Sequence, residues 1–380
     1  MSEAIALEAP VWVDSKNAIE KAVHEFEDQP ALAIDTESNS LFAYQERVCL
    51  IQISTPTNDY LIDPLAIEDV SILGPIFANP HQEKIFHASE YDIICLKRDF
   101  RFSFSNLFDT QIAARILGYP QFGLGAMLQE KLGVTVDKKY QRANWGLRPI
   151  SPVMLDYARL DSHYLFDLRE ILAAELVQQG LLPLAQEDFR LACEAKNHVN
   201  GDKSQNCWKV AGSQSLDPQQ AAILFELCRY RDEQARKMDL PLFKVLSNEL
   251  LLSLCLNPPA TLLDLKQDHG MGDRMIQRHG RGLLEAVQSG LAQPPLRRGP
   301  RVRPDDRLIK RVEALKDWRK NMGKELKVES DIVLPREIME LIAEKNPGNH
   351  QELKNLMQQV PWRYDHFADS ILNVLKKLEA

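Results

Sequence analysis

Two hydrophobic rhythms alternate along the first half of the chain. Apolar runs rich in β-branched and aromatic residues fall at 31–35, 47–54 (RVCLIQIS), 60–63 and 84–86, with NLFDT at 106–110 as a candidate fifth. Each run reads as a buried strand. Apolar positions at helical spacing cover 15–26, 65–78, 89–98, 110–117, 123–132, 151–162 and 164–179. Strands alternating with helices, joined by short turns such as Asp63-Pro64, predict an α/β domain over residues 1–195. The two early strands have a short link, which predicts at least one antiparallel pair and hence a mixed sheet flanked by helices.

The polar, turn-rich NHVNGDKSQN at 197–206 reads as a linker, and beyond it the pattern is helical. This second half repeats itself. YRDEQARKMDLPLFKVLSNELLLSL, from Tyr230, aligns with WRKNMGKELKVESDIVLPREIMELI, from Trp318, at a constant offset of 88. Arg231 falls on Arg319, Val245-Leu246 on Val333-Leu334, and Glu249 on Glu337. Two amphipathic helices can look alike by chance. The shared V-L-x-x-E-[LI] after a loop favours duplication. Two all-α domains are therefore expected, at 212–291 and 308–378. Between them PPLRRGPRVRPDDR is either a stiff solvated spacer or a strap that meets phosphates.

Composition narrows the function classes. A length of 380 residues with 44% apolar residues suits two or three packed domains. No run of about 18 apolar residues predicts a membrane span, and the N-terminus lacks the basic and apolar regions of a secretory signal. The six cysteines form no C-x-x-C pair and the nine histidines no H-x₃₋₅-H pair. Free buried thiols in a reducing cytoplasm are expected, with neither a zinc site nor a disulfide framework. The net charge of −8 hides an asymmetry: residues 1–200 carry 17 Lys+Arg against 29 Asp+Glu, residues 201–380 carry 29 against 25. An acidic half joined to a mildly basic half fits a metal-binding part and a polyanion-binding part.

The chemistry begins in LAIDTESNS at 32–40. The strand is expected to end on Asp35, and Glu37 follows two residues later, on the same side. An acid after a buried strand is often only a turn former or helix cap. Two neighbouring carboxylates also repel, which a divalent cation with hard oxygen ligands would cancel. That alternative predicts further acids. In IFHASEYDIICL, at 85–96, Asp92 lies among apolar positions of a helix, and in LDYARLDSHYLFDL, at 155–168, Tyr157 and Asp161 share a helical face. There is no G-x-S-x-G, P-loop or G-x-G-x-x-G to suggest other chemistry.

The ordered set Asp35-x-Glu37, Asp92, Tyr157-x₃-Asp161 resembles the DEDD exonucleases, in the branch with a tyrosine in its third motif. DTES, HASEYDIICL, LFDTQIAARILG, NWGLRPIS and YARLDSHYL are similar, more narrowly, to the ribonuclease D family over about 30–170. WKVAG at 208–212 and the helical repeat after it resemble the helicase-and-ribonuclease-D C-terminal (HRDC) domain, in two copies. One departure is Ala143-Asn144-Trp145, where the family often carries Ser-Asp-Trp.

The resemblance implies a ribonuclease H-like α/β exonuclease domain followed by two HRDC-like domains. It implies 3′→5′ hydrolysis of RNA to 5′-mononucleotides in the cytoplasm, with trimming of precursor tRNA 3′ ends as the task. No membrane or obligate protein partner is implied. Asp35, Glu37, Asp92 and Asp161 would hold two Mg²⁺ or Mn²⁺ ions, and Tyr157 would orient the attacking water. His87, Gln111, Trp145 and Arg148 could touch RNA or merely pack the domain. A 3′→5′ DNA exonuclease with the same metal site is the first rival. A silent RNA-binding adaptor is the second, although it has no use for clustered carboxylates that repel phosphate.

Overall fold

Residues 31–34, Ala-Leu-Ala-Ile, open the strand around which the rest is arranged. In the computed structural model, which describes residues 8–196, 207–298 and 305–378, this strand lies inside a mixed six-stranded sheet. The expected linker at 197–206 and the middle of the proline-rich linker, 299–304, lie outside the described residues. The strands are β1 (Val11–Val13), β2 (Ala31–Ser38), β3 (Val48–Ser54), β4 (Asp59–Ile62), β5 (Glu83–Phe86) and β6 (Leu107–Asp109), in the order β1-β4-β3-β2-β5-β6. β2 pairs antiparallel with β3, and β3 with β4; the β1–β4, β2–β5 and β5–β6 pairs are parallel. Every residue of β3 is buried, as expected where both faces of a strand are covered.

The first helices are α1 (Lys16–Glu27), α2 (Gly74–Ala78), α3 (Glu90–Phe100), α4 (Thr110–Ile116), α5 (Leu124–Leu132), α6 (Pro152–His163), α7 (Leu165–Gln178) and α8 (Leu182–Cys193). Their apolar faces join the core around the sheet; α1 contributes Ile19, Ala22, Val23 and Phe26, spaced at helical intervals. Then come α9 (Pro218–Met238), α10 (Leu242–Val245), α11 (Asn248–Leu256), α12 (Leu262–Gln267) and α13 (Asp273–Ala292). The last are α14 (Asp306–Leu326), α15 (Ser330–Val333), α16 (Arg336–Lys345), α17 (His350–Leu356) and α18 (Pro361–Lys376).

The described residues form two compact units. One comprises 8–38, 48–196 and 305–378; the other comprises 39–47 and 207–298. In the first unit, α18 packs on α8 through Arg363, which is fully buried. Its guanidinium donates to Glu187 and Asp188, each at 2.9 Å, and to the carbonyl of Ile332 at 2.8 Å. Arg115 of α4 bonds Glu329 and Asp331 at 2.8 and 2.6 Å. The second helical repeat thus shares a unit with the sheet. In the second unit, Tyr44 donates its hydroxyl to Asp232 at 2.7 Å and its amide to Asp239 at 3.1 Å. Gly290 of α13 lies so close to α9 that a Cβ there would fall 2.4 Å from Ile223 Cα.

The 88-residue offset is visible element by element. α9 and α14 have the same length and end on αL residues, Asp239 and Lys327. Arg231 donates to the Leu246 carbonyl at 3.2 Å, and Arg319 to the Leu334 carbonyl at 3.0 Å. One arginine-to-carbonyl bond is thereby repeated in both copies, buried in the first and part-buried in the second.

Four local expectations change. β2 does not end on Asp35; it continues to Ser38, because Asp35, Thr36 and Glu37 stay paired with Gln52, Ile51 and Leu50 of β3. The helix expected over 65–78 forms only from Ser71 onward, first as a 3₁₀ turn and then as α2. Before it the Asp63 carboxylate accepts from Leu65 and Ala66 amides at 2.9 and 3.3 Å, a turn that competes with helix. β1 and α8 have no counterpart in the pattern reading: the strand has three residues, and the helix follows α7 after only a short break. None of the six cysteines forms a disulfide, and all but the half-buried Cys193 are buried.

Candidate active site

Three segments supply the acids. Asp35 and Glu37 stand two apart on β2, at its paired end against β3. Asp161 lies on α6, whose start is fixed by Ser151, accepting from the Met154 amide, and by Pro152 in the first turn. One carboxylate oxygen from each of Asp35, Glu37 and Asp161 lies within 4.8 Å of the other two. The fourth acid, Asp92 of α3, is not part of that trio. It is buried, and its carboxylate accepts a hydrogen bond from the Thr36 hydroxyl. The structure therefore brings three expected ligands together and sets the fourth beside them, on the residue between the strand acids.

The electrostatics of the group are adverse without a counter-ion. Burial, then Asp92, Asp161 and Glu37, push the Asp35 carboxyl well above its usual range. Burial and the charges of Asp161 and Asp92 raise Glu37 to about 9. Asp161 rises to about 7 through burial and Asp92. Asp92 also rises to about 7, chiefly through burial, against the lowering effect of the Thr36 hydroxyl. Such carboxyls ionise together near neutral pH only if positive charge is added. Hard oxygen donors converging at this range suit Mg²⁺ or Mn²⁺.

Tyr157, one turn before Asp161, lines the same cavity as that acid, about 440 Å³ in volume. Burial and the charges of Asp161, Glu37 and Asp35 raise its phenol further above the ordinary value, so it stays protonated. The buried Trp145 stacks on it, with centroids 6.2 Å apart and planes inclined by 29°, and Tyr140 meets it edge-on at 5.8 Å.

The four residues left open by the sequence have these partners. All five donors of Arg148 are committed: two bonds to Asp63 at 2.5 and 2.6 Å, and bonds to the carbonyls of Trp145, Leu147 and Cys49. Trp145 packs against Tyr157. Gln111 enters through its backbone amide, which Asp109 accepts at 2.8 Å. The His87 Nδ1 lies 2.8 Å from the Thr110 hydroxyl, whose proton goes to the Phe86 carbonyl at 3.0 Å. So Nδ1 is the donor. Burial lowers the His87 pKa to about 4, leaving the ring neutral.

Sequence reasoning missed two supports. Thr36 is one, described above. The other is Asp109, which caps α4 by accepting from Gln111 and Ile112 amides, and also accepts from the amides of Ala88 and Ser89 at 3.1 and 2.7 Å. Ala88 has φ of 64°, a turn that this carboxylate holds at the start of α3, two residues ahead of the helix turn bearing Asp92. The signal was available in LFDTQI: an Asp at a strand end, directly before a helical pattern.

Comparison with known proteins gives the same reading. A 3′–5′ exonuclease family model matches residues 10–177, and an HRDC domain model matches 220–287 and 309–375. "Exosome complex exonuclease RRP6" of Saccharomyces cerevisiae is 30% identical over 269 residues, which cover 67% of this chain and 37% of that protein. The chain thus spans well under half the length of such relatives. "Ribonuclease D" of Pseudomonas paraeruginosa is 26% identical over 370 residues, covering 96% of this chain and 97% of the relative. The crystal structure of Escherichia coli RNase D, "an exoribonuclease involved in structured RNA processing", superposes with a TM-score of 0.70 at 26% identity, covering 97% of this chain and 99% of that one. Acids on β2, α3 and α6, a mixed sheet and a doubled HRDC region coincide in one chain, which belongs to the ribonuclease D family of 3′–5′ exonucleases.

Proposed function

We propose that this chain hydrolyses RNA from the 3′ end, releasing 5′-mononucleotides, and that precursor tRNA 3′ ends are its substrates in the cytoplasm. The convergence of Asp35, Glu37 and Asp161 oxygens within 4.8 Å carries the reading. Together with Asp92 they form the donor set for two divalent cations. In the same reading the chain divides into an exonuclease domain at 1–195 and HRDC domains at 212–291 and 308–378.

Bound Mg²⁺ or Mn²⁺ would supply an activated water and stabilise the leaving oxygen in an in-line displacement. The chain's own residues do the rest. The four carboxylates remain ionised only when such charge is present, so they couple activity to metal. Tyr157 keeps its proton and donates a hydrogen bond, orienting the water rather than deprotonating it. Trp145 fixes the tyrosine ring against α6, and Thr36 fixes Asp92.

The test is digestion of a 3′-extended tRNA with Mg²⁺ or Mn²⁺, read at nucleotide resolution beside a matched DNA. Stepwise loss of 5′-mononucleotides from the RNA supports the reading. Faster digestion of the DNA would move the assignment to a DNA exonuclease, and no digestion of either would leave a binding protein.

A further inference from the structure

The acid cluster poses a problem that its metals solve only locally. RNA carries a phosphate at every residue, and the links beside the scissile one must also approach a strongly negative pocket. Something positive is needed next to the acids. The cavity that Tyr157 and Asp161 line holds one such group, Lys138. The start of α5, Gly123–Ala126, and the segment Val136–Lys138 line it as well.

Lys138 is exposed, and among the described residues no ion pair is recorded for it. Its stem lies over Gly125: a methyl group on that glycine would sit 3.7 Å from Lys138 Cε and 3.3 Å from Val136 Cγ2. The lysine stem thus passes the start of α5, where the positive end of the helix adds to its field. Asp137, its acidic neighbour, lines the same cavity and accepts from the Lys139 amide at 2.9 Å, so its carboxylate is tied to the backbone next to Lys138. Among the described residues Lys138 is thus a cation without an ion-pair partner, on a cavity that the proposed catalytic groups Tyr157 and Asp161 also line.

We propose that Lys138 holds the backbone phosphate next to the scissile one, on its 5′ side, and so sets the register in which the terminal nucleotide enters the acid site. This rests on the exonuclease reading above and deepens it: the preferred substrate carries at least two phosphodiester links. Lys138 is a positioning residue, and it takes no part in bond making.

Two short RNAs separate the roles. A dinucleoside monophosphate, NpN, contains only the scissile link, whereas NpNpN also contains the neighbouring phosphate. Lys138→Met keeps the stem over Gly125 and removes the charge. It should raise KM for NpNpN severalfold with kcat unchanged, leave KM for NpN unaltered, and lower the salt dependence of NpNpN binding by about 0.7 in log–log slope, one single-strand phosphate contact. Lys138→Arg should retain wild-type KM for NpNpN. Equal KM for wild type and Lys138→Met on NpNpN would overturn the assignment, as would an equal loss on NpN. If the wild type hydrolyses neither RNA, the exonuclease reading fails, but the Kd values of both RNAs, measured with Ca²⁺ in place of Mg²⁺, still decide Lys138.

Discussion

The hydroxyl of Thr36 donates to the carboxylate of Asp92, so the residue between the two strand acids holds the helix acid. β2 delivers Asp35 and Glu37 to one side and uses the intervening position to hold the acid carried by α3. The bond also lowers the Asp92 pKa against its burial. Thr36→Val preserves shape and removes the donor. We expect a severalfold higher divalent-metal requirement, with the melting temperature in metal-free buffer changed little. Metal titration of the initial rate checks this; an unchanged half-saturating concentration would remove Thr36 from the site.

Tyr157→Phe deletes one hydroxyl and keeps the ring between Trp145 and Tyr140. Turnover should fall by about 10²-fold or more, the loss associated with a positioned catalytic group, while RNA affinity stays close to wild type. Single-turnover rates beside equilibrium binding make the distinction. Unchanged turnover would return Tyr157 to a packing role.

The metal-free protein should be more stable in mild acid than in mild base. Folded Asp92 and Asp161 titrate at about 7 and Glu37 at about 9, all above their unfolded values near 4. Between those limits the folded chain binds more protons, so stability falls as pH rises from about 5 to about 8. Saturating Mg²⁺ favours the ionised carboxylates and should shrink this dependence. Melting curves at pH 5.5 and 8 in chelator, and again in Mg²⁺, test the sign. A metal-free protein more stable at pH 8 would contradict it.

Arg363→Met should be among the most destabilising changes outside the site. The guanidinium is fully buried, and its loss leaves Glu187 nearly buried without its charge partner. Removing one member of such a pair costs about 3–5 kcal/mol. Denaturant unfolding measures it. A loss under 1 kcal/mol would mean that α18 and α8 are held by apolar packing alone.

Much of this was readable from residue order. The apolar runs located β2 to β6, because strands covered on both faces have no polar side to obscure them. The constant offset of 88 anticipated paired elements down to Arg231 and Arg319. The order Asp-x-Glu, Asp, Tyr-x₃-Asp identified residues that the fold brings to one place. What was hidden depends on contacts between distant positions. Nothing in HASE shows that Asp109 holds its turn, and nothing near Asp35 shows that the strand runs on to Ser38, since β3 decides that. Arg148 was open between RNA contact and packing, and its donors go to Asp63 and three carbonyls far along the chain or in the adjacent turn.

The central claim is that four mutually repelling carboxylates persist because they hold divalent metal for hydrolysis. Asp35→Asn tests it most directly, since the substitution keeps shape while removing a buried charge repelled by Asp92, Asp161 and Glu37. The measurement is RNA digestion with Mg²⁺ or Mn²⁺, paired with melting in chelator. The account predicts opposite effects: activity nearly abolished, metal-free stability unchanged or raised, and wild-type activity lost in chelator and restored by either ion. Normal digestion by the Asp35→Asn protein, or full wild-type activity in excess chelator, would contradict it.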